Sequence, residues 1–158
     1  PSISAEFHEL KSVYNEHPNV HLILHHQEEL AHLIYAGSDM FIVPSLFEPC
    51  GLTQMIALKY GTPPIVRKTG GLADTIVDVD YSGKPFEETN GYVFEFPDNA
   101  GVDSALERAL PTWLHDPEKW RKLMIQGMLM DFSWNKSSEE YLKIYLQASQ
   151  EASLEPGQ

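Results

Sequence analysis

Short apolar runs that each stop at a turn residue and hand over to an amphipathic helix constrain this chain more than any other feature. Asp39-Met40-Phe41-Ile42-Val43 has the length of a buried strand rather than a helix. Pro44 lacks a backbone N–H and ends the ladder. Past the block Pro44-Ser45-Leu46-Phe47-Glu48-Pro49-Cys50-Gly51-Leu52-Thr53-Gln54, residues 52–60 read as a helix, with Leu52, Met55, Ile56 and Lys59 on neighbouring turns. The scheme repeats at once. Pro64-Ile65-Val66 is a short strand, Arg67-Lys68-Thr69 follows, and Gly70-Gly71 opens a helical run from Leu72 to Val77. Upstream, Phe7, Leu10, Val13 and Tyr14 predict a helix over about 3–16 that ends before Pro18, then a strand over 20–24. A second helix over 28–37 should turn Leu30, Leu33 and Ile34 inward and cap on Gly37. Downstream lie a polar, exposed and mobile loop over 79–90, a last strand over 91–96 with Tyr92, Phe94 and Phe96 alternating with Val93 and Glu95, and helices near 101–115, 117–129 and 136–151. Strand and helix alternate with short connections, which predicts an α/β fold: a parallel sheet wound by right-handed crossovers, with helices on both faces.

A chain of 158 residues suits one domain and can bury a core. A hydrophobic share of 42% separates it from disordered sequences. No apolar run nears the roughly 20 residues that a membrane-spanning helix needs. Eleven basic against 23 acidic residues give a net charge of −12, which argues against nucleic acid or an anionic membrane as partner. An anionic ligand would need local cations. Lys59, Arg67 and Lys68 flank the two junctions, with ordinary surface cations as the alternative. Cys50 is the single cysteine, so the chain has no internal disulfide or cysteine-rich zinc site and fits a reducing or redox-neutral compartment. It has no basic neighbour in sequence to activate it, so packing or a backbone contact fits better than a nucleophile. His25 and His26 would point to opposite faces of a strand and cannot chelate one ion, and His32 reads as a helix-face residue. Nothing in the sequence calls for a metal or a cofactor.

The chemistry concentrates at the two strand-to-helix junctions. Glu48 follows the carboxyl end of a strand, the edge where open parallel sheets bind ligands; a helix-start carboxylate favoured by the dipole is the alternative. Gly51 permits close backbone approach, and the amides after it have no helical partner. Thr53 could serve a phosphate or its own backbone. Thr69-Gly70-Gly71 opens a helix directly after a strand, where free N–H groups attract phosphate and glycines admit it; a tight turn is the rival. Together the junctions suit a sugar-phosphate ligand. Trp113, Trp120 and Met124 are spaced as core residues of helices rather than as a carbohydrate platform, and Trp134 sits between the last helices.

The eleven-residue block through Gln54 and the block Arg67-Lys68-Thr69-Gly70-Gly71-Leu72-Ala73-Asp74-Thr75 resemble motifs of the starch synthase and bacterial-type glycogen synthase family, closest to a plant-type soluble starch synthase. Ala36-Gly37-Ser38-Asp39, Lys59-Tyr60-Gly61, Asn90-Gly91-Tyr92-Val93-Phe94 and Asp131-Phe132-Ser133-Trp134 extend the likeness from roughly His32 to Trp134. The resemblance implies a Rossmann-like sheet in the C-terminal lobe of a two-domain GT-B glycosyltransferase. It implies one partial domain over 1–158: a sugar-nucleotide lobe to about 130, then a crossing helix over about 135–151. The family's first strand-loop-helix unit, with an arginine and a lysine that grip the diphosphate, would lie upstream of Pro1. So would the glucan-binding N-terminal lobe, and the chain alone is expected to be inactive.

The implied reaction moves glucose from ADP-glucose to the non-reducing end of an α-1,4-glucan with retention. By the same resemblance, Glu48 is the catalytic group on the glucose hydroxyls, and Cys50, Gly51 and Leu52 offer backbone N–H groups. Thr53, Thr69, Gly70 and Gly71 complete the ADP-glucose set, and His26 stands where the family usually stacks an aromatic on adenine. Ile56 occupies the position of a second glutamate in related retaining transferases, a departure that the starch synthases share. The implied partners are ADP-glucose, α-glucan and the N-terminal lobe, with neither nucleic acid nor membrane. The implied setting is a plastid stroma, with bacterial cytoplasm as the alternative. Two rival readings stay open: a sucrose-type transferase or sugar-nucleotide epimerase on the same scaffold, and a non-catalytic binding module.

Overall fold

A computed structural model describes residues 3–154. The chain forms two compact units, one running to Gly37 and one starting at Ser38.

The first unit holds α1 (Ile3–Tyr14) and α2 (Glu28–Gly37), as the spacing predicts. The strand expected at 20–24 does not form; the segment is irregular. A strand exists only through a ladder, and here amides are spent locally: Val20 donates to the His17 carbonyl and Leu22 to the Asn15 side chain, at 3.1 and 3.3 Å. In α2 it is Tyr35 that is buried, while Leu33 and Ile34, expected inside, are exposed.

The second unit is built on three parallel strands, β1 (Phe41–Val43), β2 (Pro64–Arg67) and β3 (Tyr92–Phe94), in that spatial order. Ile42, Ile65 and Tyr92 lie side by side, as do Val43, Val66 and Val93. Successive residues face opposite ways, so the central strand is apolar on both sides and reads as a continuous run. Ile65 and Val66 are both fully buried, each stabilising the fold by about 1.5–3 kcal/mol through burial.

Helices cover both faces. On one, α5 (Asn99–His115) and α6 (Pro117–Leu129) bring Ala105, Ala109, Trp120 and Leu123 onto Ile65, Tyr92 and Phe94. On the other, Leu58 of α3 (Thr53–Lys59) joins Leu72 of α4 (Gly70–Thr75) and Ile76 against Val43 and Val66. Asp98 and Asp116 start α5 and α6 by accepting from the amides of Gly101 and Lys119, at 2.8 and 3.0 Å. Trp120 is core and Trp113 packs against it, as expected. Phe96, expected to continue the inward alternation, lies beyond β3 and is exposed.

The segment 79–90 is anchored at both ends rather than loose. Asp78 is buried and accepts from the amides of Asp80, Tyr81 and Val93. Arg108 of α5 bridges Asp78 and Asp80 at 3.0 and 3.1 Å, donates to the Val93 carbonyl at 2.8 Å, and lies over the Tyr81 ring at 4.4 Å. At the other end Asn90 is fully buried, accepting from the Val77 amide and donating to the Thr75 carbonyl. The last helix, α7 (Trp134–Leu154), leaves Trp134, Tyr141, Ile144 and Tyr145 exposed. Among the described residues no helix is long and apolar enough to cross a membrane.

Candidate active site

Both junctions lie at the carboxyl ends of their strands, and the structure brings them into direct contact. The loop after β1 carries a half-buried Glu48, whose carboxylate accepts from the Ser45 hydroxyl at 3.2 Å. Arg67, at the end of β2, donates Nε to the Ser45 carbonyl at 2.8 Å and a second N–H to the Leu46 carbonyl. The loop ahead of Glu48 is thereby tied to the neighbouring strand. Leu46 and Phe47 point outward at 71% and 80% exposure. Gly51 has φ +75, a conformation that glycine adopts without strain.

Gly70 and Gly71 pack onto the backbone of Glu48-Pro49-Cys50. A methyl built on Gly70 would lie 2.0 Å from the Glu48 carbonyl oxygen, and one on Gly71 would lie 1.7 Å from that of Cys50. The Gly71 amide donates to the Glu48 carbonyl at 3.1 Å. The glycine pair therefore admits a neighbouring loop, and the Gly71 N–H is spent on that loop instead of standing free for a phosphate. Among the described residues the amides of Cys50, Gly51 and Leu52 form no such bond. They remain donors at the start of α3, beside an exposed Cys50. Thr53 Oγ1 is buried without a hydrogen-bond partner, and Thr69 is the residue ahead of α4. A cavity of about 650 Å³ opens against this clasp, lined by Pro49, Cys50, Gly71, Asp74 and Trp134. A second, of about 710 Å³, runs along the end of β3 past Tyr81, Glu95 and Phe96 and shares Asp74 with the first.

The three cations near the junctions all have structural partners. Lys59 donates to the carbonyls of Met128 and Met130 at the end of α6, and Arg67 is spent on the Ser45–Leu46 backbone. Lys68 pairs with Glu95 at 2.8 Å, a contact that raises the lysine pKa and lowers that of the carboxyl. His26 belongs to the first unit, where its Nε2 lies 2.9 Å from the Glu28 carboxylate and holds that carboxyl below its usual range. The Arg108–Asp78 brace has no signature in the sequence. Its members are 30 residues apart, and an isolated arginine in a helical pattern carries no signal of a buried partner.

A parallel α/β sheet with two strand-to-helix junctions clasped at its carboxyl edge, one presenting a carboxylate beside unspent amides, has its junctions at the edge where open α/β sheets bind ligands. Residues 4–128 match the family described as "Glycosyl transferases group 1", and the chain belongs to that family. It is 70% identical over 92% of its length to the glycogen synthase of Protochlamydia amoebophila, covering 29% of that protein. It is 45% identical over 99% of its length to the protein named "Probable starch synthase 4, chloroplastic/amyloplastic" of Arabidopsis thaliana, covering 15%. Among solved structures it superimposes with a TM-score of 0.84 on the catalytic domain of starch synthase IV from Arabidopsis thaliana bound to ADP and acarbose, at 46% identity over 90% of this chain and 29% of that one. The chain thus spans less than a third of the length of these relatives.

Proposed function

We propose that this lobe holds the donor in a glycogen or starch synthase: ADP-glucose, from which glucose passes with retention to the non-reducing end of an α-1,4-glucan. The observation that carries the reading is the clasp itself, with Glu48 held by Ser45 on a loop whose next three amides are unspent. A carboxylate there orients glucose hydroxyls, while backbone N–H groups of Cys50, Gly51 and Leu52 meet a leaving diphosphate. Both act through positioning and electrostatics. Thr53 and Thr69 stand beside those groups, and the role of Gly70 and Gly71 is to let the two loops meet. The ADP and acarbose in the solved relative support a nucleotide and a glucan as ligands of the whole enzyme. With the local cations engaged, the charge that neutralises the diphosphate comes from elsewhere in the enzyme. The isolated chain is therefore expected to transfer no glucose. The higher identity to the Protochlamydia protein supports bacterial cytoplasm over plastid as the setting.

The test is a graft. Residues 3–154 replace the matching segment of the Protochlamydia amoebophila glycogen synthase, and glucan elongation is assayed with ADP-glucose and UDP-glucose. Elongation from ADP-glucose alone is expected. A folded graft that does not elongate, or that uses UDP-glucose equally well, overturns the reading.

A further inference from the structure

One fully buried polar side chain takes no part in the site as described above. Gln54, on the first turn of α3, has no exposed surface. Its amide nitrogen donates to the Gly51 carbonyl at 2.9 Å and to Thr75 Oγ1, in α4, at 3.0 Å. Thr75 Oγ1 in turn donates to the Gly71 carbonyl at 2.6 Å. A continuous relay therefore runs from the glycine turn of one junction to the glycine pair of the other. Its donor sense is consistent: the Gln54 amide nitrogen donates to Gly51 and Thr75, with the Cys50 carbonyl a longer contact at 3.5 Å, and the single hydroxyl proton of Thr75 goes to Gly71.

Packing alone does not explain an amide here. Neighbouring Ala57 and Leu58 are buried too, and a leucine or methionine would fill the same space without burying polar atoms. The amide is also costly, because Gln54 Oε1 is buried with no hydrogen-bond partner. Gly51 makes room for it: a methyl on that residue would lie 2.6 Å from Oε1. What the amide adds is a second attachment. The Gly71 N–H to Glu48 carbonyl bond alone would let one loop pivot against the other, and a second, buried link fixes their angle.

We infer that Gln54 and Thr75 are positioning residues that hold the Glu48–Gly51 loop and the Gly70–Gly71 turn at one fixed angle, and so set where Glu48 stands for glucosyl transfer. The catalytic half of this inference rests on the function proposed above; the structural half does not.

Two measurements test it. In the 158-residue chain, hydrogen exchange at the Gly71 amide should quicken about tenfold or more in Thr75→Val, which keeps the branched shape and loses the hydroxyl. It should stay within about twofold in Thr75→Ser, and α5 amides should be unchanged in both. In the graft, Thr75→Val should lower kcat about tenfold or more at nearly constant KM for ADP-glucose, with Thr75→Ser restoring it. Gln54→Met cuts the same relay from the other side and replaces Thr75→Val should that variant fail to fold. Unchanged Gly71 exchange in a folded Thr75→Val or Gln54→Met chain overturns the inference. So does a loss of kcat that follows only the folded fraction. A wild-type graft that is folded but inactive refutes the function instead, and the exchange result stands apart from it.

Discussion

The amide of Gly71 donates to the carbonyl of Glu48 across 3.1 Å, so the second residue of one helix is bonded to the loop residue whose carboxylate Ser45 holds. Both glycines of the second junction are explained by this approach. Gly71→Ala would drive a methyl into the Cys50 carbonyl, and backbone cannot swing aside as a side chain does. The expected result is a loss of about 3 kcal/mol or more, at or above the top of the usual overpacking range. Urea unfolding of the purified chain measures it, and a Gly71→Ala protein as stable as wild type would show that the loops do not meet as described.

Glu48→Gln, made in the graft, keeps the shape of the side chain and removes its charge. If the carboxylate acts mainly in the transition state, kcat falls about 100-fold, on the order of 3 kcal/mol, while KM for ADP-glucose moves little. Steady-state kinetics decide the matter. A kcat within about threefold of wild type leaves Glu48 as a loop carboxylate held by Ser45 and nothing more.

Asp78→Ala should cost about 3 kcal/mol, because it removes the acceptor of three amides and leaves the largely buried Arg108 guanidinium with only the more exposed Asp80 as its carboxylate partner. Many buried ion pairs can be exchanged for apolar residues without loss. This one should resist, since Asp78 also accepts from the amides of Asp80, Tyr81 and Val93. The double variant Asp78→Leu/Arg108→Met is therefore expected to stay at least about 2 kcal/mol below wild type in chemical denaturation. Full recovery would mean that neither the ion pair nor the backbone bonds to Asp78 hold this loop.

Lys68 and Glu95 give a pH signature. Their hydrogen bond, and then their mutual charge, lower the Glu95 carboxyl from its usual 4.5 and raise Lys68 from 10.5. A lowered carboxyl stabilises the fold above its unfolded value, an effect lost as pH falls through the folded value. A raised lysine stabilises below its unfolded value, an effect lost as pH rises through the folded one. The pair thus contributes in full between about 4.5 and 10.5. Both side chains are well exposed, at 58% and 62%, so salt screens the effect. An NMR titration should place the Glu95 midpoint below 4.5 and return it to the usual value in Lys68→Met; a midpoint that ignores the substitution would show that the pair does not form in solution.

Much of this architecture was legible because period and punctuation agree. The helices over 28–37 and 117–129, and the short strands before Pro44 and Arg67, follow from apolar spacing beside capping and breaking residues. Residues 20–24 look equally strand-like, but a strand depends on a partner that local sequence does not name. The location of the site was legible for the same reason that its working parts were not. Gly70-Gly71 and Arg67 announce a junction, yet whether a glycine admits a phosphate or a carbonyl depends on a loop some 20 residues away. Glu48 and Gly71 meet only through the crossover between them, as do Gln54 and Thr75. Such pairings are properties of the folded topology and leave no mark on either segment alone.

The position of Cys50 makes the clasp observable. The sequence holds one sulfhydryl, and it lies exposed on the loop between Glu48 and Gly51. A thiol-directed fluorophore or spin label therefore attaches at a single point, beside the cavity that Gly71 and Trp134 also line. No engineered cysteine is needed to place it there. Its signal would report any movement of that loop against a silent background.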